Sequence, residues 1–90
     1  MIRKKESEDV DWYVYILRCA DGTLYTGITD NVDKRLAAHR AGKGAKYTRG
    51  RGPLELVYTQ RQPDKSSALR RELEIKKRTR QEKLTVCGQI

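Results

Sequence analysis

Apolar positions along this chain change period from one segment to the next. From Trp12 to Arg18 both alternations are apolar, with Trp12, Val14 and Ile16 on one and Tyr13, Tyr15 and Leu17 on the other. A strand covered on both faces gives that pattern. Thr23 to Thr29 reads as its antiparallel partner across an Asp21-Gly22 turn. Loop length decides which side chains share a face. A two-residue loop would send Tyr15 and Tyr25 to opposite faces. A three-residue loop, Ala20-Asp21-Gly22 with Gly22 left-handed, pairs Cys19 with Thr23, Leu17 with Tyr25 and Tyr15 with Gly27. The two tyrosines then become diagonal neighbours. Gly27 leaves the space across from Tyr15 clear of any side chain, and that space is expected to admit a ligand.

The period then becomes helical. Asp30 or Asn31 is a good N-cap and Gly42 a good stop, which predicts a helix of about three turns. Val32 and Leu36 form its apolar stripe. Arg35 and His39, four apart, are expected at the edge of the buried face. The glycine- and arginine-rich segment 42–53, GKGAKYTRGRGP, is a loop by composition. Leu54 to Thr59 reads as a third strand. Asp64 or Ser66 caps a second helix, which runs to about Lys83 with a break near Thr79. At 100° per residue, Ala68, Leu69, Leu73 and Ile75 mark an apolar arc. Glu72 falls inside that arc, with Lys76 beside it. An inward carboxylate is costly unless it is paired or binds a cation. Two readings stay open: an ion pair with Lys76 or Arg35, or a metal ligand.

Charge narrows the class of partner. The net charge is +8, unevenly spread. Four basic and six acidic side chains leave residues 1–30 at −2, while sixteen against six leave residues 31–90 at +10. Such a field attracts polyanions, and nucleic acid is the expected one. Lys46, Tyr47, Arg49 and Arg51 are candidates for the nucleic-acid backbone, with Tyr47 stacking on an exposed base. A solvated basic loop fits them equally. Lys76 either neutralises Glu72 or supports phosphate binding. Residues 1–10 read as a charged tail and 11–90 as one domain. No run approaches the roughly twenty apolar residues of a membrane span, and the charged opening residues MIRKKESEDVDW lack the apolar core expected of a signal peptide. The cytoplasm is the expected location. Cys19 and Cys87 are too few and too far apart for a disulfide framework or a metal motif.

In order and spacing, these pieces resemble the GIY-YIG nuclease superfamily, in particular its small stand-alone bacterial members. Tyr15 is followed by Tyr25-Thr26-Gly27, then by Arg35 and His39 on the next helix and Glu72 on a later one. LRCADGTLYTG, GKGAKYTRGR and ALRRELEIKK carry the likeness, which spans Trp12 to about Val86. The resemblance implies an α+β fold, a three-stranded antiparallel sheet flanked by helices in the order β-β-α-β-α with a further short helix. It implies a divalent-metal phosphodiesterase, using magnesium or manganese. Tyr15 and Tyr25 would be the motif tyrosines and Gly27 the motif glycine. Arg35 would be the electropositive clamp, His39 the helix histidine and Glu72 the metal ligand.

Those residue types suit the reaction. Phosphodiester hydrolysis needs an activated water, stabilised charge on phosphorus and help for the leaving oxygen. Tyrosine, with a reference pKa near 10, needs nearby positive charge to act as a base. Arginine contacts phosphate through two N–H groups at once, and a single carboxylate suits magnesium. Two departures from the motif stand out: Tyr13 replaces the first glycine and Thr26 an isoleucine. Thr26 should face away from Tyr25, so its effect is expected on packing. Many family nucleases also use an asparagine after the glutamate helix, and none follows Glu72. The expected function is a metal-dependent endonuclease acting on DNA, on branched, nicked or damaged structures, in DNA repair or processing. The competing reading is a DNA- or RNA-binding module with an idle nuclease site.

Overall fold

Trp12–Arg18 (β1), Leu24–Thr29 (β2) and Glu55–Gln62 (β3) form one antiparallel sheet with β1 in the centre. Val32–Arg40 (α1) follows the hairpin, and Lys65–Lys76 (α2) and Arg80–Val86 (α3) follow β3. The computed structural model describes residues 11–44, 48, 50 and 52–88. The expected tail at 1–10 and the loop candidates Lys46, Tyr47, Arg49 and Arg51 lie outside the described residues. Fold class and element order are those the sequence implies. Among the described residues, no helix is long and apolar enough to cross a membrane.

The doubly apolar pattern of β1 has a direct cause. Val14 and Ile16 are buried against Ala68 and Ile75 of α2. Tyr15 and Leu17 are buried on the opposite face with Cys19 and Leu54, flanked by Tyr25, Leu36 and Leu56. Each fully buried aliphatic side chain contributes roughly 1.5–3 kcal/mol, so the central strand anchors both layers.

The hairpin register is the one a three-residue loop requires. Tyr15 lies opposite Gly27 and Leu17 opposite Tyr25. The Cys19 amide donates to the Thr23 carbonyl at 2.9 Å, and Gly22 takes φ +86°. Asp21 Oδ1 accepts from both the amide (3.1 Å) and the hydroxyl (2.7 Å) of Thr23, which fixes the turn.

Three expectations change in the fold. β3 extends to Gln62 rather than Thr59, because Trp12, Tyr13 and Val14 supply pairing partners for Gln62, Arg61 and Gln60. The break near Thr79 is realised, though α2 ends at Lys76 and a separate helix follows it. Thr79 Oγ1 accepts from the Glu82 amide at 3.2 Å while the Glu82 carboxylate accepts from the Thr79 amide at 3.0 Å. That reciprocal cap starts a new helix, which ends at Val86. Finally, the expected apolar arc of α2 is only half buried. Ala68 and Ile75 are fully covered, whereas Leu69 is 42% and Leu73 57% exposed. Arg71 takes the inward place instead. Its side chain is only 24% exposed, with Nε donating to Gln60 at 2.9 Å and Nη1 to Glu74 at 3.0 Å.

Candidate active site

Tyr15 sits on the central strand with its ring laid across Gly27 of β2. A Cβ at position 27 would stand 2.6 Å from the phenol oxygen and 2.8 Å from Cζ. The space expected to be open for a ligand is therefore filled by Tyr15 itself. Gly27 is needed because the ring crosses directly over that backbone. The phenol then reaches α1, where its oxygen lies 2.8 Å from Nε2 of His39.

His39 was expected at the edge of the helix stripe, and it is the most deeply buried residue of α1. It is 2% exposed, while Val32 and Leu36 are only half-buried. A buried imidazole needs partners for both ring nitrogens. Nε2 has Tyr15, and Nδ1 lies 2.8 Å from Thr48 Oγ1 in the following loop. The ring of Tyr25 stands edge-on to His39 at 5.4 Å and tilted to Tyr15 at 6.3 Å. Tyr15, Tyr25 and His39 thus form one aromatic cluster. The backbone at Gly44 closes against the imidazole, where a Cβ would stand 2.3 Å from Nδ1.

Donor counting fixes the direction of the Tyr15 bond. Burial raises the phenol pKa above 10, and the Arg35 guanidinium directed at it pulls the other way. The resting group is therefore a protonated phenol. Its buried proton needs an acceptor. Arg35 has only N–H groups to offer, so among the described residues His39 Nε2 is the acceptor. Burial, with Arg35 nearby, lowers the His39 pKa, which keeps the imidazole neutral and able to accept.

Glu72 comes from α2, on the other face of the sheet, yet its charge is felt at Tyr15 and raises the phenol further. Its side chain is 14% exposed, and Lys76 Nζ lies 3.1 Å from Oε2. The ion-pair reading of Glu72 is thus realised. Lys76 also lines a cleft of about 310 Å³ with Leu24, Tyr25, Thr26 and Lys83. Tyr25 and Thr26 point to opposite faces, so this cleft lies at the free edge of β2, where the two layers meet. A second cleft of about 220 Å³ at the other end of β2 is lined by Thr29, Asn31, Lys34 and Arg35.

The donor set can be weighed against a metal. Among the described residues there is no cluster of three or more His, Cys, Asp or Glu side chains. Zinc wants such a cluster. Magnesium keeps several waters and takes one or two carboxylates together with substrate phosphates. The Glu72 carboxylate, little exposed and close enough to raise the Tyr15 phenol, fits magnesium or manganese on those terms.

The structure therefore brings Tyr15, Tyr25, Gly27, Arg35 and His39 together on one face, while Glu72 and Lys76 come from α2 on the other, where Lys76 shares a cleft with Tyr25. Two residues escaped sequence reasoning. Gly44 and Thr48 lie in a loop whose composition signals only irregular backbone. Their contacts with His39 depend on how that loop folds back over α1, which no periodicity reports.

The GIY-YIG catalytic domain model matches residues 11–85. The UPF0213 protein NP_0776A of Natronomonas pharaonis is 62% identical over 73 residues, covering 81% of this chain and 86% of its own. The UPF0213 protein SH2523 of Staphylococcus haemolyticus is 58% identical over 72 residues, covering 80% and 88%. Among solved structures, the solution NMR structure of the UPF0213 protein BH0048 from Bacillus halodurans superposes with a TM-score of 0.57 at 51% identity, covering 87% of this chain and 83% of that one.

Proposed function

We propose a specific chemistry for this chain, which belongs to the GIY-YIG catalytic-domain family: divalent-metal-dependent endonucleolytic hydrolysis of DNA. The family is one of nuclease-type hydrolases acting on DNA. The observation that carries the reading is the buried Tyr15–His39 hydrogen bond of 2.8 Å, with Arg35 directed at the same phenol.

The roles follow from that bond. A scissile phosphate is held by the Arg35 guanidinium, which offers two N–H groups to its oxygens. The attacking water binds at the Tyr15 oxygen. As its oxygen bonds to phosphorus, its proton passes to Tyr15 and the phenol proton passes to His39 Nε2. The ester P–O bond breaks with its electron pair on the leaving oxygen, which takes a proton from a solvent water, and His39 afterwards returns its proton to solvent. Tyr15 never has to persist as a free phenolate, which its raised pKa would oppose. Glu72 is the residue that would hold the metal, whose charge stabilises negative charge developing on the phosphate oxygens. Tyr25 packs the imidazole edge. Lys76 and the basic loop 46–51 would track the backbone. Contacts of that kind carry no base sequence, which suits branched, nicked or damaged DNA and a role in repair or processing.

One observation favours a different reading. Lys76 already pairs with Glu72 at 3.1 Å. A module that binds DNA or RNA without cutting would keep that pair. The deciding experiment is magnesium-dependent cleavage of plasmid and branched DNA, with Glu72→Gln and Tyr15→Phe alongside. Cleavage by the wild type that both substitutions abolish supports the nuclease. Salt-sensitive binding without cleavage on any substrate supports the idle site.

A further inference from the structure

We propose that Thr48 is a positioning residue, which holds His39 in the one tautomer able to receive a proton from Tyr15. The inference deepens the nuclease reading and rests on it for its catalytic consequence, but its structural content stands on the hydrogen bonds alone.

Thr48 sits in the loop after α1 and is only 2% exposed. A buried threonine in an otherwise polar, glycine-rich loop is unusual, since loops run over the surface. Its hydroxyl lies 2.8 Å from Nδ1 of His39, on the opposite side of the ring from Tyr15. In a neutral imidazole one nitrogen carries the proton and the other accepts, and the partner of each nitrogen sets which is which. The Tyr15 phenol must donate to Nε2. Nδ1 therefore carries the hydrogen and donates it to Thr48 Oγ1. In the reverse tautomer Nε2–H would donate to the phenol oxygen, and the buried phenol proton would then have no acceptor among the described residues.

Gly44 holds the ring from the side. A Cβ there would overlap Nδ1 at 2.3 Å, so loop backbone lies against the imidazole edge and opposes its rotation. Thr48 supplies the acceptor and Gly44 the wall. A threonine suits this place because its hydroxyl accepts while its methyl fills apolar space. A valine of nearly the same shape would keep the packing and lose the acceptor.

The test uses the fact that His39 is the only histidine in the chain. Long-range proton–nitrogen correlation spectra therefore report its tautomer without assignment ambiguity. In the intact wild-type protein Nδ1 should show the shift of a protonated nitrogen and Nε2 that of a bare one. Thr48→Val should mix in or invert to the other tautomer, and Thr48→Ser should keep the wild-type pattern. On a cleavable DNA, Thr48→Val should lower kcat by ~10–100-fold, the range seen when a hydrogen-bond partner that orients a metal-bound histidine is removed. KM should be little changed, and Thr48→Ser should recover most of the rate. A wild-type spectrum with hydrogen on Nε2 overturns the proposal, and that measurement survives even if the valine variant does not fold. Loss of cleavage in Thr48→Val with an unchanged tautomer overturns it too, because the loop would then act by shape alone. A wild-type protein that cuts no DNA, yet shows the predicted tautomer and its dependence on the Thr48 hydroxyl, overturns the nuclease reading and supports the positioning.

Discussion

Tyr15 occupies the space that a side chain on Gly27 would need, with its phenol oxygen 2.6 Å from where a Cβ would stand. This explains both the glycine and the position of the phenol. The ring is pinned at its far end by His39, so it cannot swing aside at no cost. Gly27→Ala should therefore push the ring off the imidazole. Overpacking of this kind costs about 1–3 kcal/mol. A misplacement near 1 Å in a reacting group costs on the order of 100-fold in rate. Thermal melts should show the loss of stability and cleavage assays the loss of activity. A variant with wild-type values for both would show that the ring and strand have more room than the geometry allows.

Thr26 makes the opposite case. It is 3% exposed, and its hydroxyl has no hydrogen-bond partner among the described residues. It pairs with Ile16 and belongs to the face covered by α2, away from the tyrosines. A buried hydroxyl without a partner costs about 1–3 kcal/mol. Thr26→Val removes it at almost constant shape and should raise stability by about 1 kcal/mol, or roughly 4–8 °C in melting temperature for a domain of this size. Cleavage should be unaffected, since the side chain faces away from Tyr15. Destabilisation on calorimetry would mean that the hydroxyl has found a partner in solution.

These two residues also mark how far the sequence could be read. The hairpin register followed from side-chain period once the loop was taken as three residues with a left-handed Gly22, the length the structure adopts. That placed Tyr15 beside Tyr25 and turned Thr26 inward. The direction of the Tyr15 ring was not legible, since two rotamers fit the same register, and the empty volume over Gly27 was misread as room for a ligand. The α2 arc failed for a related reason. Leu69 and Leu73 are apolar, but Arg71 is half-buried and finds Gln60 and Glu74, while the helix turns its leucines outward. Period reports which side chains share a face, not which polar side chain finds a partner underneath.

Lys76 competes with any cation for Glu72. The ammonium lies 3.1 Å from the carboxylate, and a metal must displace it. Lys76→Met keeps the stem and removes the charge. It should tighten manganese binding to the DNA-free protein several-fold, as read by electron paramagnetic resonance of free manganese. Glu72→Gln should abolish that binding. Affinity that stays the same in Lys76→Met would place the metal away from this carboxylate. The pair is partly exposed, with Lys76 49% open, so its loss alone should change stability by no more than ~1 kcal/mol.

The buried imidazole makes stability depend on pH in a definite direction. His39 is held below its ordinary pKa of 6.5 by burial first and by Arg35 second. Tyr15, Tyr25 and Thr48 are its other neighbours, and none of them is a carboxylate or an ammonium. Above pH 6.5 the imidazole is neutral in both folded and unfolded chains and the contribution is fully present. As pH falls below 6.5 the unfolded chain takes up a proton that the folded one refuses. Stability then drops, by at most about 1.4 kcal/mol per pH unit for one group, until the folded imidazole is itself protonated. Asp64 cannot mimic this, because its pKa is already lowered from 3.8 by the Ser67 amide and its effect falls at still lower pH. Urea titrations between pH 7.5 and 5 should show the decline in the wild type. His39→Gln should be less stable at pH 7.5, because it loses the fit between Tyr15 and Thr48, but its stability should be flatter across the interval. A wild-type curve that is level from 7.5 to 5 would mean the ring is as easily protonated when folded as when free. Below pH 6.5 Tyr15 would then face a cation and could not donate to it.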